Sequence, residues 1–170
     1  KRYHHVDMFG DYLRIANKLK QPLIIELKVT NHSDQQMGTR FAKQFKPQLT
    51  VLPHRVHSIG YPFLRQVKRQ IPGMDIGLVT MLNFGNIGHY QVDFYTLQHL
   101  TANPFLISSV GETGRPVYSW TDDSKLSMVR MEMLGTTGQV TDQAFRLQHL
   151  RVNYQRDRWI LLLNSLQNYL

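Results

Sequence analysis

The chain has 170 residues, a formal net charge of +8 and 42% hydrophobic residues, values typical of one globular domain that favours anionic partners. It contains no cysteine, which excludes disulfides, thiolate metal sites and cysteine nucleophiles. Its longest apolar runs fall short of the roughly 20 residues of a membrane-spanning helix, and its first residues lack the apolar core of a signal peptide. Because the chain opens on Lys1 rather than Met, we expect it to be a piece of a longer protein.

Helices and strands alternate along the chain. In order, the spacing of apolar residues predicts a helix at residues 6–19, a strand at 22–29, a helix at 33–45, a strand at 49–58, a helix at 61–71, a strand at 74–82, a short strand at 91–94, a helix and turn at 101–114, a strand at 116–121, a helix at 122–134, a short strand at 138–142 and a helical segment at 143–170. Expected N-caps are Ser33 or Asp34 for the second helix, and Asp122 or Asp123 for the helix at 122–134.

Strands that alternate with helices over short connections predict parallel strands joined by crossover helices. About six strands in this length approach the spacing of a (β/α)8 barrel, which takes roughly 250 residues for eight units. The predicted fold class is therefore α/β, a TIM (β/α)8-type barrel with about six of its eight βα units, the first two being absent. We expect residues 1–170 to form a single domain, and residues 143–170 to be a C-terminal helical segment that packs on the barrel. The alternative for that segment is an amphipathic helix at a membrane surface.

The predicted strand PLIIELKV carries two charges in an apolar setting. Glu26 and Lys28 are two residues apart, so both side chains leave an extended chain on the same face. Burying them costs free energy unless they are paired or bind a metal. One interpretation is an ordinary Glu–Lys ion pair at a solvated strand end. The other is a metal ligand with a phosphate-binding neighbour.

Several motifs in a fixed order resemble the glycerophosphodiester phosphodiesterase family. That family has an apolar strand ending in Glu-x-Lys, then a Ser-Phe strand end with a downstream Lys and Pro, and later a Gly, a VYxWTVN strand, a helix ending in Leu-Gly and a closing GIITD. The matching places in this chain, from residue 6 to 142, are Glu26 to Lys28, Ser58, Leu64, Lys68, Pro72, Gly77, Leu78, Gly114, Val117 to Thr121, Met128, Leu134, Gly135 and Val140 to Asp142.

The resemblance implies a TIM barrel that hydrolyses glycerophosphodiesters to glycerol 3-phosphate and an alcohol, in glycerol and glycerophospholipid metabolism. It implies a divalent cation, Ca²⁺ or Mg²⁺, because such hard cations take carboxylate and water oxygens. Glu26 matches the family's metal-ligand Glu, and Lys28 matches the neighbouring Lys that faces the phosphate. Trp120 matches the aromatic residue that lines the glycerol side of the pocket.

The sequence also departs from the family pattern. The family's catalytic histidines and its other metal-binding acids precede the Glu-x-Lys strand, and none lies upstream of Glu26. We therefore expect no catalytic residue in this chain and no activity from the chain alone. WTVN is replaced by WTDD, which places Asp123 where the family has Asn, and the usual His-x-x-Gly before the tryptophan strand is GETG.

Several other histidines and acids have an ordinary structural explanation as well as a functional one. Adjacent His4 and His5 fit a surface or a tag remnant better than a ligand pair. His54 and His57 lie near a strand end and either approach the barrel mouth or pack elsewhere. For Asp93 and Asp142 a structural hydrogen bond is as good an explanation as a catalytic role.

The expected partner is a small glycerophosphodiester, with membrane association through a preceding region and self-association through open sheet edges as further expectations. No nucleic-acid motif is present, so we expect no nucleic-acid partner. The competing function is a non-catalytic module that binds anionic phosphodiesters or a membrane surface. The sequence does not fix the compartment.

Overall fold

The computed structural model describes residues 8–81 and 87–153. The described residues fall into two compact units. Unit 1 comprises those up to Thr80 together with Tyr90–Thr96, and unit 2 comprises those within Met81–His89 and from Leu97 onward. The first three residues of one strand, β4 (Phe94–Gln98), belong to unit 1 and its last two to unit 2. The prediction of a single domain stays a prediction.

Unit 1 is built from two βα repeats that follow an opening helix, and from a third strand and the start of a fourth. Its elements are α1 (Phe9–Lys18), β1 (Ile24–Glu26), α2 (Met37–Leu49), β2 (Arg55–Ser58), α3 (Tyr61–Gln70), β3 (Asp75–Thr80) and the start of β4. Strands β1, β2 and β3 pair in parallel, with Ile25 beside Val56 and Val56 beside Ile76. All three side chains are buried, so this row forms part of the core of unit 1.

Unit 2 continues the alternation. Its elements are α4 (Pro104–Gly111), β5 (Val117–Trp120), α5 (Lys125–Met133) and β6 (Gly138–Gln139), and residues 144–153 are helical. Strands β5 and β6 pair in parallel, with Tyr118 beside Gly138. The core of unit 2 includes Val110 of α4 and Met128 and Met131 of α5, all fully buried. Met128 and Met131 therefore serve packing, whereas Met133 at the end of α5 is exposed.

The six strands follow one another in the sheet in chain order, and every pairing described above is parallel. Parallel neighbours need a crossover between them, and α2, α3, α4 and α5 supply it at four of the connections. This order confirms the predicted α/β class with six units of the (β/α)8 type. Among the described residues, no helix combines the length and the apolar character needed to cross a membrane.

Element boundaries differ from the predictions where local hydrogen bonds compete with the regular element. Strand β1 covers three residues rather than eight, because Pro22 has no N–H to donate and Thr30 already turns back onto Ser33. Helix α2 begins at Met37 and not near Ser33, since that serine accepts the Thr30 N–H at 2.8 Å and Asp34 accepts from Gln36 in a turn ahead of the helix.

The cap of α5 also differs from the prediction. Ser124 is the N-cap, and its hydroxyl oxygen accepts a hydrogen bond from the Ser127 N–H at 3.0 Å. The two preceding acids, Asp122 and Asp123, make other contacts, described below. A serine is as good a cap as an aspartate, so the sequence alone does not choose between three adjacent candidates.

Candidate functional site

The Glu-x-Lys pair lies at the carboxyl end of β1 in unit 1. Glu26 is the last residue of the strand, and Lys28 follows just beyond it. Ile24, Glu26 and Lys28 are exposed whereas Ile25 and Leu27 are buried, so the two charges share one face, as predicted. Lys28 Nζ lies 3.8 Å from Glu26 Oε2, and the lysine side chain is 81% exposed. Such an exposed ion pair contributes at most about 1 kcal/mol to folding.

A histidine stands beside Glu26 in the sheet. His57 of β2 is its register partner, and Gly77 of β3 is the next residue in the same row. The imidazole is buried, with Nδ1 3.1 Å from the Thr96 hydroxyl oxygen, and the Phe94 ring fills the space next to Gly77. Burial lowers the pKa of His57, and the negative charge of Glu26 opposes that effect. Of the two histidines considered near this strand, His57 alone lies in the row of Glu26.

His54 lies at the opposite end of β2. It directly precedes the strand, and both of its ring nitrogens are engaged: Nδ1 accepts the Leu23 N–H at 3.0 Å, and Nε2 lies 2.9 Å from Asn17 Oδ1. Because Nδ1 is an acceptor, Nε2 carries the proton and donates it to the asparagine. His54 therefore joins α1 to the start of β1 and does not approach the carboxyl ends of the strands.

This arrangement predicts acid sensitivity of the fold. Burial lowers the pKa of His54 below its usual value of about 6.5, so its contribution to stability is complete above that pH and is lost as pH falls towards the folded-state pKa. Protonating Nδ1 also breaks the bond from Leu23. The wild type should lose unfolding free energy between pH 7 and pH 5. We expect the His54→Gln variant to lose about 1 kcal/mol less than the wild type over the same range.

The measurement is urea unfolding at both pH values, with His32→Gln as the control, since His32 is exposed. His57 retains part of the pH dependence in the variant because burial lowers its pKa as well. An unchanged difference between the two pH values in His54→Gln would show that His54 does not cause the acid sensitivity.

Asp93 has a structural role in unit 1. Its Oδ2 atom accepts from Lys68 Nζ at 2.9 Å and from the Ile76 N–H at 2.9 Å, and Lys68 also donates to the Met74 carbonyl at 2.8 Å. These bonds tie α3 to the start of β3. Both Lys68 and Asp93 are thus occupied in holding the sheet and its helix together.

Unit 2 places Trp120 at the carboxyl end of β5. It is the last residue of that strand, and its side chain is half-buried. Its carbonyl oxygen accepts a hydrogen bond from the His99 N–H at 2.9 Å, and His99 directly follows β4. The contact brings the carboxyl ends of these two neighbouring strands together, and it brings a histidine ring to the same edge of the sheet.

A buried carboxylate completes this edge of unit 2. Asp122 is fully buried, and its Oδ2 atom accepts a hydrogen bond from the Ser119 hydroxyl. Its Oδ1 atom lies 3.8 Å from His99 Nδ1 and has no hydrogen-bond partner among the described residues. Burial raises the pKa of Asp122 above its ordinary value. The Ser119 hydrogen bond and the nearby His99 and Arg130 act against that rise, whereas Asp123 adds to it.

Asp123, at the position of the family's asparagine, organises the segment after β6. Its Oδ1 atom accepts from the Thr141 hydroxyl at 3.0 Å and from the Asp142 N–H at 2.9 Å. An asparagine side-chain oxygen accepts the same bonds, so the change from WTVN to WTDD conserves this contact. Asp142 takes part through its backbone N–H, and its side chain is exposed.

A divalent cation at Glu26 would need further oxygen ligands around it. Glu26 offers a carboxylate, the ligand that Ca²⁺ and Mg²⁺ prefer. Within residues 8–81 and 87–153, however, no group of three or more His, Asp or Glu side chains is arranged to hold a metal ion. The described residues therefore do not form a site with three such side-chain ligands by themselves.

Sequence reasoning missed His99 and Asp122. The WTDD departure marks this place in the sequence, but the residue that replaces the family's asparagine is Asp123. The buried acid is its neighbour, and no pattern in the sequence links it to a histidine 23 positions earlier. His4, His5 and most of the segment 143–170, from residue 154 on, lie outside the described residues, so the predictions made for them stay predictions.

Comparisons with known proteins bear on this arrangement. No protein-family profile matches the chain. YhdW of Bacillus subtilis, provisionally assigned as a glycerophosphodiester phosphodiesterase, is 21% identical over 94 residues, which make up 51% of this chain and 39% of that protein. This likeness in sequence agrees with the family named from the motifs.

Solved structures share the fold. A protein of Silicibacter pomeroyi, provisionally assigned as a glycerophosphoryl diester phosphodiesterase, matches with a TM-score of 0.79 and 19% identity over 89% of this chain and 58% of that one. An Oleispira antarctica phosphodiesterase, solved with its product sn-glycerol 3-phosphate, matches with a TM-score of 0.74 and 14% identity over 83% and 59%. The chain thus spans less than two thirds of these relatives. Together the matches confirm the resemblance and the partial-barrel fold.

Proposed function

We propose that this chain is the carboxy-terminal part of a metal-dependent glycerophosphodiester phosphodiesterase, which hydrolyses a glycerophosphodiester to glycerol 3-phosphate and an alcohol. The observation that carries the proposal is the placement of Glu26 and Lys28. Both charges lie on one exposed face at the carboxyl end of a strand, and this end of the strands is where TIM-barrel enzymes place their active sites.

Each proposed site residue has a role that fits its chemistry. Glu26 would be a carboxylate ligand of Ca²⁺ or Mg²⁺, and Lys28, whose ammonium is exposed, would face the phosphate. Trp120, half-buried at the end of β5, would line the glycerol side. A bound cation would supply charge stabilisation at the phosphoryl oxygens. The other metal ligands would come from outside the described residues, in line with the share of the relatives that the chain spans.

The test compares two forms of the protein. We expect the chain alone to release no glycerol 3-phosphate from glycerophosphodiesters. A longer form that carries the preceding βα units should release it in the presence of Ca²⁺ or Mg²⁺, and excess chelator should abolish the release. The readout is an enzyme-coupled assay for glycerol 3-phosphate.

A folded longer form that remains inactive with both cations would contradict the proposal. That outcome would favour the alternative function, a non-catalytic module that binds anionic phosphodiesters or a membrane surface. Activity that survives exhaustive chelation would contradict the metal dependence alone. Adding back Ca²⁺ and Mg²⁺ separately identifies the cation.

A further inference from the structure

We propose that His99 is an acid–base residue of this chain, with Nε2 as the atom that exchanges protons and Asp122 as the residue that positions the ring. The inference rests on the proposed function. It assigns to this chain a proton-transferring side chain that the family resemblance does not supply, and it concerns unit 2 alone.

The position of the pair is that of a functional site. His99 follows the last residue of β4, and Asp122 lies two residues beyond the last residue of β5. The backbone bond from the His99 N–H to the Trp120 carbonyl joins the two strand ends. In parallel α/β folds, residues that follow the carboxyl ends of adjacent strands are the ones that meet ligands.

The surroundings of the ring fix which nitrogen holds a proton. His99 Nδ1 faces the Trp120 carbonyl oxygen at 3.3 Å and Asp122 Oδ1 at 3.8 Å. The carbonyl oxygen can only accept a hydrogen bond, and so can the carboxylate oxygen of ionised Asp122, so Nδ1 is the donor in the neutral ring. The proton exchanged is then the one on Nε2, which makes no hydrogen bond to any described residue. His54, in contrast, has both ring nitrogens engaged.

The Asp122 carboxylate is placed to accept a hydrogen bond from the His99 ring. Asp122 is fully buried, Ser119 donates a hydrogen bond to its Oδ2 atom, and no residue in the described part of the chain donates to its Oδ1 atom. A buried acceptor left without a donor costs free energy, and a small rotation of the His99 ring towards Oδ1 removes that cost. Catalytic hydrogen bonds are often long without substrate and shorten in the complex, which matches the 3.8 Å separation.

A second side chain fixes the turn that carries the histidine. Arg130 of α5 donates from Nη1 to the His99 carbonyl at 2.7 Å and from Nη2 to the Ala102 carbonyl. The His99 side chain itself remains about one quarter exposed. Arg130 thus holds the backbone of His99, and the Trp120 carbonyl and Asp122 lie at Nδ1 of its ring. Nε2 is left for a ligand.

The chemistry follows from this geometry. In the imidazolium form, the Nε2 proton passes to the alcohol oxygen as its bond to phosphorus breaks. Water forms the new oxygen–phosphorus bond, and one of its protons restores the imidazolium. The products are a phosphate monoester and a neutral alcohol, so atoms and charge balance. Ionised Asp122 stabilises the imidazolium, as the buried aspartate does in a Ser-His-Asp triad.

The first experiment needs no turnover. In the chain labelled with 15N-histidine, we expect sn-glycerol 3-phosphate to shift the Nε2 resonance of His99, and we expect the exposed His149 to remain unshifted. Before any addition, the neutral ring should carry its proton on Nδ1. The absence of an Nε2 shift at saturating ligand, or a neutral ring protonated on Nε2, would overturn the assignment.

The second experiment separates a proton donor from a structural residue. In the active, longer form, His99→Gln should lower kcat by about 100-fold or more for diesters with an alkyl alcohol. For the p-nitrophenyl diester of glycerol phosphate, whose leaving group needs no proton, the loss should be far smaller. Asp122→Asn should show the same selectivity with a smaller loss. Thermal midpoints of the variants report whether each one is folded.

The outcomes distinguish this inference from the proposed function. Equal losses on both substrates, in folded variants, would overturn the role of His99 as a proton donor. An Nε2 shift in a protein that turns over neither substrate would overturn the proposed function, yet it would support contact between His99 and the phosphate ester. A shift together with losses confined to alkyl esters would support both.

Discussion

Glu26→Gln should lower kcat/KM for glycerophosphodiester hydrolysis by about 100-fold or more in the active, longer form of the protein. Glutamine keeps the length of the side chain and one of its oxygens but removes the negative charge, which is what a divalent cation binds. The fold should be nearly unaffected. The side chain is 41% exposed, and its ion pair with Lys28 is 3.8 Å long, so we expect a loss of less than about 1 kcal/mol in unfolding free energy.

The design needs a matched control. Glu112→Gln makes the same chemical change at an exposed glutamate that caps the end of α4, and it should leave kcat/KM unchanged. A cation titration supplies a second readout, because loss of a ligand should raise the concentration of Ca²⁺ or Mg²⁺ needed for half-maximal activity. If Glu26→Gln retains activity and cation affinity, Glu26 is only the ion-pair partner of Lys28.

Gly38→Ala should lower the unfolding free energy by about 2–3 kcal/mol. Gly38 is the second residue of α2, and a Cβ atom placed there would lie 2.3 Å from the Phe63 carbonyl oxygen of α3. That neighbour is backbone and cannot rotate away, so the two helices of unit 1 have to separate. The Gln66 side chain accepts a hydrogen bond from the Thr39 N–H at 3.1 Å and donates one to the Gln35 carbonyl at 2.7 Å. Separation of the helices would weaken both of these hydrogen bonds.

Gly111→Ala is the comparison for this variant. Gly111 also lies in a helix, α4, and an added Cβ there meets nothing within 4 Å. Alanine has the better helix propensity, so this change should raise stability by up to about 1 kcal/mol. Urea unfolding of both variants measures the difference. A Gly38→Ala variant as stable as the wild type would show that α2 and α3 do not approach as closely as the structure has them.

Much of the fold follows from the sequence because its signals are local. Apolar spacing placed a helix at every one of α1 to α5, and runs of β-branched and aromatic residues such as those of β5 (Val117–Trp120) placed most of the strands. The strand predicted at 91–94 was wrong in position, because it shares only Phe94 with β4. Short connections between them required parallel pairing. The Glu-x-Lys spacing likewise fixed a shared face for Glu26 and Lys28, since side chains alternate along any extended chain.

Other features depended on tertiary contacts. Three residues rather than eight form β1 because ladder bonds to β2 stop near His57 while Thr30 bonds to Ser33. His54 and His57 are three residues apart in sequence, yet one lies ahead of β2 at its amino end and the other beside Glu26, because a strand separates its two ends by its length.

The pair formed by His99 and Asp122 is the clearest case. His99 belongs to no motif, Asp122 lies within WTDD, and 22 residues that include α4 and the whole of β5 lie between them. What brings them together is the parallel alignment of β4 and β5, which places both strand ends at one edge of the sheet. The sequence alone determined which charges share a face of one strand, because that is a property of the extended backbone. Only the tertiary structure decided which side chains of different strands meet, because pairing between strands sets those distances.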